Sequence, residues 1–391
     1  MSPVADAEVD GLALAIRPHY SRFLGLHQGE VLLTGHSHQA WPDVSREAQL
    51  RAWDDAAELV DEKWARVFGE IIPKLKSLVA RRLGSSRPDD LAFGQNTHEL
   101  VFRLLSCLPT QPRVLTTPHE FHSLSRQLRR SEEAGARVLR VEISELSDRV
   151  VREDLDLVAL SMVFFETSEI VGELPRILAA AARRRIPVLV DAYHAFNAIP
   201  IDADRFEGEV FVTGGGYKYA ASGEGAAFLL IPPEAERFRP LNTGWMADFG
   251  GLSRGPNDRV EYGLGGSRFL GATFDPSGLY RAVAVYELFD SLGLDVATLR
   301  SHSVRQTGLL IELCDRARLF EKGLELASPP DADRRAAFVS FRSPRAEELV
   351  TALRAEGVHT DARRDLLRLG PGPYTTAVEL ERAIKALAGI L

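Results

Sequence analysis

Between residues 90 and 231, short apolar segments alternate with amphipathic segments, and this alternation is the feature that most limits the possible folds. The strand candidates are Leu91–Phe93, Arg113–Thr117, Arg137–Ile143, Leu157–Phe164, Ile186–Asp191, Glu209–Thr213 and Ala226–Ile231. Helical periodicity fills several of the intervals, at Thr97–Leu108, Ser123–Ala134 and Leu174–Arg185. Strands that are apolar on both faces are typical of a mostly parallel sheet covered by helices on both sides. The sequence therefore predicts a large α/β domain.

The segments on either side of this block predict a second, smaller domain. A chain of 391 residues exceeds the size at which single cores usually stop growing. The further elements that we predict are a long amphipathic helical stretch at Pro42–Leu83, helices at Ser277–Leu292 and Val296–Leu319, a strand at Phe338–Phe341, a helix at Arg345–Glu356, an extended segment at His359–Leu369 and a terminal helix from Thr376. We expect a large domain at 42–285, a small C-terminal α/β domain at 286–391, and an N-terminal segment, 1–41, packed near the small domain.

Charge and cysteine content exclude several classes of function. The 47 basic and 55 acidic residues give a net charge of −8, without the basic excess that nucleic-acid binding requires. Residues 1–10 lack a basic leader with an apolar core, and no apolar run is long enough to cross a membrane. We therefore expect a cytoplasmic protein without nucleic-acid or membrane partners. Cys107 and Cys314 are too few for a disulfide framework and lack zinc-ligand spacing, so no metal site is predicted.

Two predicted strands end in residues that could bind a ligand, because ligands of open α/β sheets sit outside the carboxyl ends of the strands. Asn96 and Thr97 follow the first strand and open a helix, where free N–H groups can bind phosphate; either residue could instead simply cap the helix. His119 follows the second strand and could stack on a flat ligand. Phe121 and His122 compete for that role, and the whole run could also be a surface turn.

Asp191 and Lys218 follow two later strands and predict a pyridoxal 5′-phosphate (PLP) site. A PLP site needs an anion against the pyridinium nitrogen, which Asp191 can supply, and a lysine that forms a Schiff base, which Lys218 can supply. His194 could orient the phenolic oxygen of the cofactor or be a buried imidazole. The glycines of Thr213-Gly-Gly-Gly-Tyr-Lys-Tyr would leave room for cofactor and backbone in one cavity. Asp191 could also cap a turn, and a lone lysine after a strand is usually a solvated surface residue.

The order of these motifs resembles the class V aminotransferase group of fold-type I PLP enzymes, and among them kynureninase in particular. The resemblance covers most of the chain. The segments that carry it are Thr34-Gly-His-Ser37, Leu160-Ser-Met-Val-Phe-Phe-Glu-Thr167, Asp191-Ala-Tyr-His194 with Ile199-Pro200, Tyr217-Lys-Tyr219, Gly244-Trp245, Arg268-Phe-Leu-Gly271, Arg368-Leu-Gly370 and Tyr374. The fold that this resemblance implies is that of aspartate aminotransferase-like PLP-dependent transferases.

The resemblance also implies roles for individual residues. On the cofactor side, Asn96, Thr97, Tyr217 and Trp245 would contact the phosphate, His119 would replace the stacking aromatic residue, Asp191 would pair with the pyridinium, His194 would lie near the phenolic oxygen, and Thr273 would reach the phosphate in the neighbouring subunit. On the substrate side, Arg368 would bind the α-carboxylate and His36 would lie in the substrate loop. An active homodimer follows from the shared site. The chain departs from kynureninase at His36, where that family has Asn, at His119, where it has Phe, and at Gly271-Ala-Thr273, which carries an extra residue.

The resulting functional hypothesis is an enzyme that acts on an α-amino acid by amino transfer or by kynureninase-like cleavage of a carbon–carbon bond. Racemase and lyase activities use the same carbanion and stay open. A cysteine desulfurase route is disfavoured because no cysteine lies between Cys314 and Arg368. A non-catalytic protein that binds PLP or an amino acid is the alternative from another class. A Rossmann-type nucleotide site is disfavoured because no Gly-x-Gly-x-x-Gly turn opens the sheet.

Overall fold

The computed structural model describes residues 3–251, 253 and 258–391, with side chains from residue 9 onward. Its α-helices are α1 (Pro3–Ile16), α2 (Ser21–Leu26), α3 (Val44–Leu59), α4 (Lys63–Arg66), α5 (Ile72–Arg82), α6 (Thr97–Leu105), α7 (His122–Glu133), α8 (Ile143–Arg152), α9 (Leu174–Arg184), α10 (Ser277–Ser291), α11 (Val296–Arg316), α12 (Ala346–Ala355) and α13 (Ala377–Ile390). Its strands are β1 (Val31–Leu32), β2 (Leu91–Gly94), β3 (Arg113–Thr116), β4 (Arg137–Arg140), β5 (Leu157–Ser161), β6 (Val188–Asp191), β7 (Val210–Gly215), β8 (Ala227–Leu230), β9 (Glu325–Leu326), β10 (Val339–Arg342), β11 (Val358–His359), β12 (Asp361–Arg363) and β13 (Leu366–Leu369). Residues 1 and 2 of the N-terminal segment lie outside this description.

A seven-stranded sheet with the order β2-β8-β7-β6-β5-β3-β4 forms the large domain. The pairs β4/β3, β3/β5, β5/β6 and β6/β7 are parallel, whereas β8 runs antiparallel to β7 and β2. Val158 and Leu160 of β5 belong to one core cluster, and Leu157 and Ala159 belong to another. Because alternate strand residues face opposite sides, helices cover both faces of the sheet. The predicted mostly parallel α/β sheet is confirmed.

A smaller antiparallel sheet, β12-β13-β10-β9, lies at the C-terminal end of the chain. Its core contains residues of α11, α12 and α13 together with Val9, Val31 and Leu33 of the N-terminal segment. β1 pairs with β11 in parallel, which ties the N-terminal segment to this small domain. The expected boundary at residue 285 falls inside α10, whose Tyr286 and Phe289 belong to the core of the large domain.

Two predicted elements differ from the structure for local reasons. Pro42–Leu83 is not one helix, because Val60 adopts φ 54° and ends α3, after which α4 and α5 follow. The strand predicted at Arg137–Ile143 ends at Arg140, and α8 begins at Ile143. Leu139, Val141 and Ile143 mimic strand alternation, whereas helical spacing from Ile143 buries Leu146 and Val150. Within the described residues, no helix has both the length and the apolar composition needed to cross a membrane.

Candidate active site

A cavity of about 290 Å³ lies at the carboxyl ends of β5, β6 and β7, beside the first turn of α6. The volume is close to the lower end of the range, roughly 300 to 1,000 Å³, that small-ligand sites occupy. The residues predicted from sequence that line it are Asn96, Thr97, Asp191, His194, Tyr217 and Lys218. The parallel register explains why residues that follow different strands lie close together, because Ser161, Asp191 and Thr213 stand side by side at the ends of neighbouring strands.

Lys218 is a buried lysine inside this cavity, with 4% of its surface exposed. Its Nζ lies 2.6 Å from His194 Nε2 and 5.0 Å and 4.7 Å from the ring centres of Phe121 and Tyr193. Burial lowers the pKa of Lys218 to about 7; Asp191 opposes this shift, and Arg368 adds to it. A large fraction of the amine is therefore neutral, and nucleophilic, near neutral pH.

Asp191 and His194 form the polar lining next to this amine. The Tyr193 N–H donates to Asp191 Oδ1 at 2.9 Å. Burial raises the pKa of Asp191, while this hydrogen bond and Lys218 oppose the rise. Burial lowers the pKa of His194 well below its usual value, with Lys218 adding to the effect, so the imidazole is neutral. When Lys218 donates to His194 Nε2, the ring proton is on Nδ1, which has no hydrogen-bond partner among the described residues. An oxygen acceptor bound in the cavity could take that hydrogen bond.

The N-terminus of α6 opens next to the same cavity. Asn96 is the N-cap, and its side chain accepts a hydrogen bond from the Glu99 N–H at 2.9 Å. Asn96 therefore caps α6, which was one of the two interpretations of this motif. Thr97 begins the helix and lines the cavity. Because the first N–H groups of a helix lack internal partners and carry partial positive charge, this end suits an anion.

The glycines before Lys218 leave room for side chains of the chain itself. A Cβ on Gly214 would come within 2.7 Å of the Phe228 ring, and a Cβ on Gly215 within 2.5 Å of the Tyr193 hydroxyl. A Cβ on Gly216 would clash with Ser222. These glycines therefore have a packing role within the chain, and Tyr193, the side chain packed against Gly215, lines the cavity.

His119, the residue expected to stack on the cofactor, does not line the cavity. Its Nε2 lies 3.2 Å from Glu142 Oε2, and its ring packs 5.2 Å from Phe164. Phe121, the competing candidate, does line the cavity and lies directly before α7. The structure therefore places Phe121, and not His119, in the wall of the cavity.

Arg368 and His36, the residues expected on the substrate side, meet at an aspartate that the sequence did not single out. Arg368 donates to Asp361 through Nε at 2.9 Å and Nη2 at 2.5 Å, and through Nη1 to the Phe165 carbonyl at 2.7 Å. His36 Nε2 lies 2.8 Å from Asp361 Oδ1. Although burial opposes it, these contacts hold the pKa of Asp361 well below its usual value. Burial, reinforced by Arg368, lowers the pKa of His36 to about 4, so it is a neutral donor.

Trp245 and Thr273 lie at the surface of the single chain. Trp245 is 40% exposed and packs against Phe249, with 5.5 Å between the ring centres. Thr273 is exposed as well, and neither residue lines the cavity. The structure of one chain therefore brings neither of them to Lys218.

Sequence reasoning missed a buried acid that supports the cavity wall. Glu120 accepts hydrogen bonds from the Thr117 and Ser161 hydroxyls, both at 2.7 Å, and Ser161 lines the cavity. Burial raises the pKa of Glu120 to about 7, although the two hydroxyl donors oppose it. The sequence signal that could have identified Glu120 was its position directly after His119, in the segment that follows β3. A charged residue at that position is equally consistent with a solvated surface residue.

The sheet order, with one antiparallel strand in an otherwise parallel sheet, and the small antiparallel domain define the fold of PLP-dependent transferases of fold type I. Solved structures with this fold superimpose over most of the chain. A C-DES mutant with glycine covalently linked to its PLP cofactor has a TM-score of 0.80 at 18% identity, over 92% of this chain and 96% of that one. The apo cysteine desulfurase of Thermococcus onnurineus NA1 has a TM-score of 0.77 at 16% identity, over 92% and 94%.

Sequence comparison specifies the relationship further. Residues 299–387 match the family model described as the kynureninase C-terminal domain. Kynureninase of Deinococcus radiodurans is 27% identical over 359 residues, which cover 88% of this chain and 82% of the relative. The uncharacterized aminotransferase YcbU of Bacillus subtilis is 28% identical over 56% of this chain and 55% of its own length. The chain is therefore similar to kynureninases in sequence and has the fold of fold-type I PLP-dependent transferases, and the resemblance drawn from its motifs is confirmed.

Proposed function

We propose that the chain is a PLP-dependent enzyme that acts on an α-amino acid, with Lys218 as the residue that binds the cofactor covalently. The observation that carries the proposal is the environment of Lys218: a buried amine with a pKa of about 7, held 2.6 Å from His194 in a cavity that Asp191 also lines. Kynureninase-like hydrolysis of a carbon–carbon bond is the reaction that we infer, supported by the kynureninase relatives.

The residues around the cavity fit PLP. Asp191 supplies the anion for the ring nitrogen, and the neutral His194 has an unpartnered Nδ1 for an oxygen. Thr97 and the free N–H groups of α6 suit the phosphate, with Tyr217 as a further wall, and Phe121 supplies a flat face. When bound, PLP withdraws electrons from the α-carbon of an amino acid.

The residues of the chain would then bind the substrate and move its protons. Arg368 would bind the α-carboxylate, for which its planar guanidinium is suited. Lys218 Nζ, with a pKa near 7, can take a proton at the α-carbon and return it, because it is poised between its two protonation states. His194, with its pKa well below neutral, keeps a neutral ring beside Nζ and so accepts a hydrogen bond from it without adding charge.

The purified protein provides the test of this function. It should show the visible absorbance of a lysine Schiff base, and mixing with kynurenine or 3-hydroxykynurenine should release alanine. A colourless protein that stays colourless with added PLP would refute the cofactor assignment. A coloured protein whose spectrum changes with no member of a panel of amino acids would instead support the non-catalytic alternative.

Amino transfer is the second candidate reaction, favoured by the similarity to the aminotransferase YcbU. In that case, the same panel should convert the cofactor to its pyridoxamine form without release of alanine. The two reactions are thus separated by product analysis on one protein sample.

The proposal includes a homodimer in which Trp245 and Thr273 face the site of the neighbouring subunit. In its support, exposed aromatic side chains occur on the surface of the single chain: Trp53, Trp245 and Phe249 are 69, 40 and 46% exposed. Aromatic residues are enriched at protein interfaces, where they bury a large area.

Replacing Phe121, but not His119, should weaken cofactor binding. Phe121→Ala removes the aromatic face of the cavity, and we expect the dissociation constant for PLP to rise about tenfold, since aromatic stacking contributes roughly 0.5–1.5 kcal/mol beyond area burial. His119→Ala serves as the matched control and should leave it within about twofold, because His119 contacts Glu142 outside the cavity. Fluorescence titration of the apoenzyme with PLP measures both. The reverse order of effects would restore His119 as the stacking residue.

A further inference from the structure

Three side chains with metal-ligand chemistry meet where the N-terminal segment joins the small domain. His27 Nδ1 lies 2.6 Å from Glu30 Oε2, and His359 Nε2 lies 3.0 Å from the same oxygen. One ligand atom from each residue lies within 4.8 Å of the other two, and across the described part of the chain no other group of three His, Cys, Asp or Glu residues does so. The cluster lies outside the candidate active site and is independent of the proposed function.

The backbone positions these three donors. Glu30 follows His27 through a tight turn in which Gly29 has φ 77° and the Glu30 N–H donates to the His27 carbonyl at 3.0 Å. His359 stands opposite Leu32 in the β1/β11 pair. The ring of His27 also packs on Phe23, with 5.4 Å between the ring centres. Because strand pairing and the turn fix the donors beforehand, little ordering is left for a ligand to impose.

Two imidazole nitrogens and a carboxylate oxygen form a donor set that suits zinc. Zinc binds such ligands at about 2.0–2.2 Å in a tetrahedral arrangement, which places neighbouring donors roughly 3.3 Å apart. The side chains of His27, Glu30 and His359 are 32, 38 and 23% exposed, so an ion can enter and water can take the fourth position.

The geometry points to a zinc site formed by His27 Nδ1, the Glu30 carboxylate and His359 Nε2. Its position connects it to the substrate side of the active site through the backbone. The segment that contains β1 leads from Glu30 to His36, and the chain after β11 leads from His359 to Asp361, the first residue of β12. His36 Nε2 lies 2.8 Å from Asp361 Oδ1. Zinc at the cluster therefore holds β1 and β11 together, and this strand pair brings His36 and Asp361 into contact.

A zinc titration of the tag-free holoenzyme, previously dialysed against EDTA, tests this site. We expect one equivalent of ZnCl₂ to bind at micromolar concentration by calorimetry and to raise the midpoint of thermal unfolding, because a ligand that binds only the native state stabilises it. His27→Gln, Glu30→Gln and His359→Gln should each weaken zinc binding by more than about 100-fold, since loss of an outer-shell partner alone costs about 10- to 100-fold. His19→Gln and Glu47→Gln, in the same N-terminal region, should bind zinc as the parent does.

A purely hydrogen-bonded cluster gives a different pattern of results. It would lower the unfolding midpoint of the three glutamine variants equally with and without zinc, while the parent protein would bind no equivalent of the ion. Either that pattern, or undiminished zinc binding by two of the three variants, would overturn the proposal. If one variant fails to fold, the other two still decide the outcome. Activity with amino acids is not part of the readout, so failure of the zinc site leaves the proposed function untouched.

Discussion

Lys218→Ala should abolish the visible absorbance of the purified protein and lower turnover by at least about 1,000-fold. Both effects have the same cause, because this one amine is proposed to hold the cofactor and to move the proton at the α-carbon. General acid–base catalysis alone contributes about 100- to 10,000-fold, and loss of covalent attachment adds to it. The absorbance spectrum and the initial rate of product release, measured on the same preparation, check the two effects together.

Lys76→Ala is the matched control for this variant. Burial also lowers the pKa of Lys76, but its Nζ donates to the Asp89 carbonyl and does not line the cavity. The Lys76 variant should therefore keep both colour and activity. Reduction of the parent protein with borohydride should label the peptide that contains Lys218; a label on any other lysine would refute the assignment.

The pH dependence of cofactor capture provides a second check on Lys218. The neutral amine is the reactive form, and its fraction increases as the pH rises through the pKa of about 7. The rate at which apoenzyme captures PLP should therefore rise between pH 6 and 8 and level off above roughly pH 8. An ordinary lysine, with a pKa of about 10.4, would give a rate that is still rising about tenfold per pH unit there. A continued rise up to pH 9 would show that burial does not lower the pKa of this amine.

The sequence predicted those parts of the site that depend on local order along the chain. Asp191 and Lys218 each follow an apolar strand, and the ends of parallel strands meet at one edge of the sheet, so no long-range information was needed. The position of α6 likewise follows from Asn96, whose side chain caps the helix by accepting a hydrogen bond from the N–H of Glu99, three residues ahead. The small domain contributes its own local signals, such as the capping box at Thr376 that starts α13.

The features that the sequence did not predict depend on contacts between distant segments or on the direction of a side chain. His119 and Phe121 are two residues apart in the turn before α7, and only the path of that turn decides which of them faces the cavity. Asp361 pairs with Arg368 because β12 and β13 run antiparallel in that register, and His36 reaches Asp361 from 325 residues away. Neither pairing can be recognised from the local pattern of apolar and polar residues.

The Asp361 contacts change the physical description of the substrate side. Arg368 was expected to bind the substrate carboxylate as an unpaired cation. In the structure, Asp361 already neutralises it through two hydrogen bonds. A substrate carboxylate must therefore share the guanidinium with Asp361 or displace it in part. The neutral ring of His36 donates to the same aspartate. We infer that His36 and Asp361 set the orientation of Arg368, which makes them positioning residues.

Arg368→Ala should raise the KM for α-amino acid substrates about 10- to 100-fold, because a charge-assisted hydrogen bond contributes roughly 1.5–3 kcal/mol and each 1.4 kcal/mol is about tenfold. The visible absorbance should persist, since Arg368 is not among the residues proposed to hold the cofactor. The same change should also lower the free energy of unfolding by up to about 3 kcal/mol, because the partly buried Asp361 loses its bidentate cation and keeps only His36 and the more distant Arg363. Steady-state kinetics and chemical unfolding measure the two effects separately.

The double variant Arg368→Ala with Asp361→Ala distinguishes binding from structural support. Removing both charges takes away the carboxylate that has lost its main cation, so stability should return to within about 1–2 kcal/mol of the parent, as is typical when a buried ion pair is replaced as a unit. Substrate affinity should not return, because no cation is left to meet the α-carboxylate. The decarboxylated amine of the best substrate serves as the control ligand, and neither variant should change its affinity by more than about twofold. A double variant that recovered both stability and KM would show that Arg368 acts only by balancing Asp361, and the carboxylate would then have to be bound elsewhere.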